Sequence, residues 1–324
     1  MTTLFRPIGN WLAACWQAWN RFWFTPSQPH TLALIRILAG GMLFYTHLVW
    51  ALDLDAFLGP HSWVSPAVAR ELNQGGFAWS YLWYVDSPAA LWVLHVLALL
   101  AMAMLTVGLC TRVVAVLAWL ATVAYCHRLT GTLFGLDQVN AMLAMYLMVG
   151  PNGAAYSLDR YLERGRAGGR APQASVGANV AIRLIQLHLC IIYLFGGIGK
   201  MRGELWWDGS AFWYAIANLE YQSLEVTWLV RFPWLIALLT HVTVFWETFY
   251  WALVWNRLTR PVALVMAVCV HGGIALCLGM PTFGLAMIIA NLAFISPETV
   301  NRVVHGSTAW LRRAGQGGEV KDEG

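Results

Sequence analysis

Lysine is almost absent from this chain of 324 residues, which has only Lys200 and Lys321. Charge of either sign is scarce: 11% of residues are charged, against about 25% in a soluble domain. That shortage, with 59% hydrophobic residues and 19 tryptophans, excludes an ordinary soluble domain and places the chain in a bilayer. Membrane lipid is therefore an expected partner. The net charge of +4 is carried by arginines in short loops between apolar runs, a topology signal that argues against nucleic acid as a partner. The six cysteines (Cys15, Cys110, Cys126, Cys190, Cys269 and Cys277) form no CxxC pair and read as small packing residues. There is no HxxxH or HExxH, so no metal site is indicated. The first 24 residues lack the uninterrupted apolar run of a signal peptide. There is no internal repeat, which argues against a transporter built from paired halves.

What is present is a series of apolar segments, roughly 31–52, 88–108, 112–130, 133–150, 178–200, 228–255, 259–278 and 280–296. Each approaches the ~20 residues that cross a bilayer as helix, and none alternates as a barrel strand does. The expected fold is an all-α bundle of about eight transmembrane spans. Residues 1–30 read as an interfacial helix, because Ile8, Trp11, Leu12, Cys15, Trp19 and Trp23 recur at helical spacing. Residues 31–296 form the transmembrane domain and 297–324 a polar tail. With the N-terminus in the cytoplasm, thirteen Lys and Arg fall on the inner side, five on the outer side and two inside helices. That asymmetry predicts a multi-pass protein of the bacterial inner membrane with both termini cytoplasmic. Two long outer loops, 53–87 and 201–227, are rich in aromatics, and the second reads as an amphipathic segment.

This topology assigns each polar residue a depth. Lys200 closes the fifth span, with Tyr193 and Gln186 on the same helix face and Gly196, Gly197 and Gly199 around it. Two readings stand: a lysine snorkelling to the headgroups, or a partly dry amine acting as a base. For the second, Asp137 would serve beside Lys200 in catalysis. His127, His271 and Tyr193, with Trp206 and Trp207 of the outer segment, would line a ligand cavity. The alternative is a non-enzymatic maturation, immunity or assembly factor, whose aromatic segment docks a secreted peptide or a membrane partner. At the inner side, Arg36, Arg183 and Glu247 are expected to form a buried structural ion pair cluster.

Several stretches together resemble a known family: RLIQLHLCIIYLFGGIGKMRGELWWDGSAFWYAI at 183–216, VFWETFYWALVWNRLTRPVAL at 244–264, HGGIALCLGMPTFGLAMI at 271–288 and GPNGAAYSLD at 150–159. They resemble the bacterial horizontally transferred transmembrane (HTTM) family, related to the membrane domain of vitamin K-dependent γ-glutamyl carboxylase. The resemblance implies that Lys200, in Gly197-Ile198-Gly199-Lys200-Met201, stands where the carboxylase has the base that deprotonates reduced vitamin K. It implies a reduced quinone as the cofactor. Leu136 and Asp137 stand near the place of a functional histidine of the carboxylase. Another branch of the resemblance includes a bacterial membrane protein that helps mature an exported peptide toxin, which implies peptide maturation as a role.

Overall fold

The computed structural model describes residues 5–166 and 171–316, with side chains described over 8–163 and 171–306. The end of the predicted tail, 317–324, and part of the Gly/Arg-rich linker, 167–170, lie outside the described residues. The regular secondary structure of the described chain is helical, apart from one bridge between Ser27 and Ser175. The helices are α1 Phe5–Phe24, α2 His30–Trp50, α3 Leu54–Leu58, α4 Pro66–Leu72, α5 Pro88–Val107, α6 Thr111–Arg128, α7 Gly135–Val149 and α8 Leu158–Arg166. They continue as α9 Val176–Lys200, α10 Glu204–Trp207, α11 Ala211–Ile216, α12 Pro233–Leu253, α13 Arg260–Cys277, α14 Pro281–Asn291 and α15 Pro297–Gln316.

All eight apolar segments are helical, but they are not eight equal spans. Among the described residues, five regions are long and apolar enough to cross a membrane alone: His30–Leu58, Pro88–Val107, Val176–Lys200, Pro233–Leu253 and Arg260–Cys277. A sixth crossing arises only if Pro281–Phe294 and Pro297–Gly306, which meet at 115°, are taken together. Of the eight expected spans, five or six are helices of that length and apolar character among the described residues. Helix α7 has 15 residues and rises only about 22 Å, short of the ~30 Å hydrocarbon layer. Helix α14 has 11 residues, and α6 carries Arg112, His127 and Arg128 near its ends.

Sequence details explain where the helices turn and how closely they approach. Gly108 ends α5 at φ +79°, a left-handed conformation open to glycine, and the chain reverses into α6. A Cβ on Gly197 would lie 2.7 Å from the Thr248 backbone nitrogen, so this glycine lets α9 and α12 touch backbone to backbone. The main core joins α2, α7, α9, α12, α13 and α14 through residues such as Leu32, Leu143, Leu189, Tyr250 and Met287. A second core joins α2, α5, α6 and α7 through Leu43, Met102 and Ala118. Helix α1 keeps Ile8, Trp11, Leu12, Trp16 and Trp19 exposed, the side chains from which an interfacial helix was expected.

The predicted Arg36–Arg183–Glu247 cluster does not form. Arg36 is fully buried and donates to four backbone carbonyls: Asn152 at 3.1 Å, Leu105 at 2.7 Å, Thr106 at 2.9 Å and Tyr156 at 2.6 Å. Carbonyl dipoles at the end of α5 and in the 152–156 turn take the place of a carboxylate. Arg183 donates to Gln186 Oε1 at 3.0 Å, and its guanidinium lies 4.4 Å from the Phe22 ring centre and 5.5 Å from that of Trp255. Glu247 is occupied elsewhere.

Candidate functional site

Lys200 is the last residue of α9, and its ammonium donates to Glu247 Oε2 of α12 at 2.6 Å. The Lys200 side chain is 28% exposed and that of Glu247 only 9%, so the amine is the more open partner and the carboxylate the buried one. Gly196 makes room for this pair, since a Cβ there would meet Glu247 Oε2 at 3.3 Å and Lys200 Nζ at 4.0 Å. The indole of Trp206, on the short α10, stacks over the amine at 5.4 Å. The partner is Glu247 because of an axial offset. The first turns of α12 run beyond the end of α9 and pack on the 209–216 segment. There Thr240 Oγ1 donates to Gly209 O at 2.9 Å and accepts from Phe212 N at 3.1 Å. Glu247 is thereby set level with Lys200 and far from the bundle end where Arg36 and Arg183 were expected to meet it.

About two turns before Lys200 on the same helix, Tyr193 enters a buried hydrogen-bonded chain. Tyr250 Oη donates to Asn291 Oδ1 at 2.7 Å, and Asn291 Nδ2 donates to Tyr193 Oη at 2.9 Å. With its oxygen accepting from Asn291, the Tyr193 hydroxyl directs its proton to His271 Nε2 at 2.7 Å. His271 then holds its own proton on Nδ1, which is buried and has no partner among the described residues. Trp246 stacks edge-on against Tyr193, with ring centres 4.8 Å apart. The arrangement contributes one half-open amine, one buried carboxylate and one orphaned imidazole N–H, with three glycines (Gly199, Gly272 and Gly273) whose missing side chains would meet open space.

Of the predicted site residues, the structure gathers Lys200, Tyr193, His271 and Trp206. Trp207 stands apart: its indole donates to Met201 O at 2.6 Å and its ring is 64% exposed. His127, in the last turn of α6, packs on the 73–83 loop, where its Nδ1 lies 3.1 Å from Trp79 N and 2.9 Å from Trp79 O. Asp137 starts α7, accepts from Phe134 N at 3.0 Å, and lines a separate cavity with residues of α2 and α6. Sequence reasoning missed Tyr250, Asn291 and the role of Glu247. A usable signal was present, because Trp246, Glu247 and Tyr250 fall within one helical turn and Asn291 is a lone amide in an apolar run.

The fold and this site define the class: a polytopic, all-helical integral membrane protein with a charged pair and a polar relay between its helices. The HTTM domain family matches residues 24–298, and the chain belongs to that family. Neither the curated proteins nor the solved structures yielded a match.

Proposed function

We propose that this HTTM protein uses Lys200 and Glu247 as an acid–base pair on a membrane-soluble hydroquinone, in the bacterial inner membrane with both termini cytoplasmic. The observation that carries the reading is the 2.6 Å contact between Lys200 Nζ and Glu247 Oε2. In a low-dielectric site, moving one proton across that contact converts a charged pair into a neutral amine and a carboxylic acid. The neutral amine is a base, and the buried carboxyl keeps the proton.

The chemistry of the donor set fits a flat ring bearing oxygen acceptors. Lys200 is half-open, His271 Nδ1–H is an orphaned donor, Trp206 supplies an aromatic face, and the bare glycines permit close approach. A reduced quinone, when bound, supplies an ionisable ring hydroxyl and two-electron reducing power. The protein's own residues orient and exchange protons: Glu247 holds the proton given up by Lys200, the neutral Lys200 amine is then free to accept one, and the Tyr250–Asn291–Tyr193 chain fixes which nitrogen of His271 donates.

The deciding experiment is thermal unfolding of purified protein with menaquinol or ubiquinol, in wild type and Lys200→Arg. A ligand that binds the native state raises the melting temperature by linkage. Arginine keeps the charge and does not deprotonate, so the variant is expected to remain folded while losing proton-transfer activity. No shift with any quinol, or full activity in Lys200→Arg, overturns the proposal.

A second reading, docking of an exported peptide, is favoured by a separate observation. The segment after α9 presents Trp207, Leu219, Trp228 and Trp234 at 64%, 86%, 55% and 66% exposure. Its test is capture of the peptide by wild type and Lys200→Arg but not by a Trp207→Ala, Trp228→Ala double variant.

A further inference from the structure

The second core of the bundle contains a small cavity, separate from the Lys200 cluster. It is lined by Thr46, His47, Thr122, Cys126, Asp137 and Asn140, contributed by α2, α6 and α7. It offers about 10 Å³ of room for the centre of a water molecule, enough for one and no more. The surrounding polar side chains are deeply buried, with His47 4% exposed, Thr122 4% and Asn140 2%.

The donor and acceptor roles at the wall are fixed by the bonds these groups already make. His47 Nδ1 lies 2.9 Å from Leu43 O and must donate to it, because a carbonyl only accepts. His47 Nε2 is therefore a bare lone pair, and it has no partner. Thr46 Oγ1 donates to Met42 O at 2.9 Å, and Thr122 Oγ1 donates to Ala118 O at 2.7 Å. Their protons are committed, so toward the cavity they too are acceptors. Asn140 Nδ2 faces Thr46 Oγ1 at 3.5 Å, which leaves Asn140 Oδ1 as a second buried acceptor without a partner. Two orphaned acceptors on opposite helices, α2 and α7, flank a space of one water volume.

We infer that this cavity is a binding site for one internal water, whose two O–H groups bridge His47 Nε2 and Asn140 Oδ1. Water matches the orphans: it has two protons to give, and two buried acceptor atoms of the wall, His47 Nε2 and Asn140 Oδ1, have no partner. Each orphan buried dry carries the full loss of its hydration, whereas a water with two polar partners restores both. The assignment also gives Asp137 a setting distinct from Lys200. Its carboxylate borders a hydrated pocket between α2, α6 and α7, whose wall also includes Tyr125, 2.7 Å from His95 Nδ1 through its hydroxyl.

Three measurements on the full chain test this. A high-resolution structure is expected to show a single spherical peak about 2.8 Å from both His47 Nε2 and Asn140 Oδ1. An empty cavity, or an Asn140 side chain bonded directly to His47, overturns the assignment. Thermal unfolding at matched ionic strength in ammonium, potassium, sodium and choline chlorides is expected to show no cation-specific shift. A rise peculiar to ammonium or potassium that disappears in Asp137→Asn replaces water by a cation and overturns it as well. Finally, Asn140→Leu and His47→Phe each strand one acceptor, or the water itself, and each is expected to lower the melting temperature by about 3 °C or more. The double variant removes both acceptors together and is expected to lose less than the sum of the two. Strictly additive losses refute a shared bridging water.

Discussion

Replacing Glu247 by Gln keeps the shape of the side chain and removes its charge, leaving the Lys200 ammonium without its counter-ion at a 2.6 Å contact. Breaking a fully buried pair costs about 3–5 kcal/mol. Lys200 is 28% exposed and retains some hydration, so the expected loss is smaller, about 2–3 kcal/mol. For a chain of this length about 2 °C of melting temperature corresponds to 1 kcal/mol, which predicts a fall of about 4–6 °C. The informative measurement is a double-mutant cycle with Lys200→Met, followed by thermal unfolding in detergent. Lys200→Met strands the Glu247 carboxylate, which is only 9% exposed, so that single variant is expected to be the worse of the two. The double variant buries no unpaired charge and is expected to recover about 2 kcal/mol relative to the sum of the singles. Additive effects, or a Glu247 variant coupled to Arg183 in place of Lys200, refute the pairing and with it the proton-storage role.

Other expectations follow from the same contacts. Tyr250→Phe removes the donor to Asn291 Oδ1 and strands a buried acceptor, for a loss of about 1–3 kcal/mol by thermal unfolding. Gly108→Ala places a Cβ at φ +79° against the Arg36 guanidinium and Ser157, and is expected to destabilise by about 1–3 kcal/mol or to abolish folded yield. Asp159 gives a pH signature: burial works against its charged form, but the N–H groups of Thr111 and Cys110, the Thr111 hydroxyl and the Arg36 charge together hold it below the usual carboxylate range. A depressed carboxyl stabilises the fold above its unfolded pKa of about 3.9, and this contribution is lost as pH falls through the lower folded value. Acid unfolding monitored by tryptophan fluorescence is therefore expected to lose part of its pH dependence below about pH 4 in Asp159→Asn.

Composition and periodicity by themselves determined that this is a membrane protein, that each apolar segment is a helix, that the first residues form a helix of their own, and that Lys200 is the cation to follow. These are local properties: the length of an apolar run and the 3.6-residue repeat do not depend on which helices become neighbours. The face shared by Lys200 and Tyr193 was legible for the same reason, because seven residues are nearly two turns of one helix. The partners were decided only by tertiary structure. Glu247 was assigned to the wrong end of the bundle because sequence fixes its place along α12 but not how far α12 slides past α9. The 209–216 segment, packed on Thr240, sets that offset. Arg36 was expected to need a carboxylate and instead found four carbonyls from two turns remote in sequence. Asp137 was assigned to Lys200 on depth alone, and the rotation of α7 turned it toward His47 and Thr122. Translation and rotation of one helix against another are properties of the packed pair, which no single helix encodes.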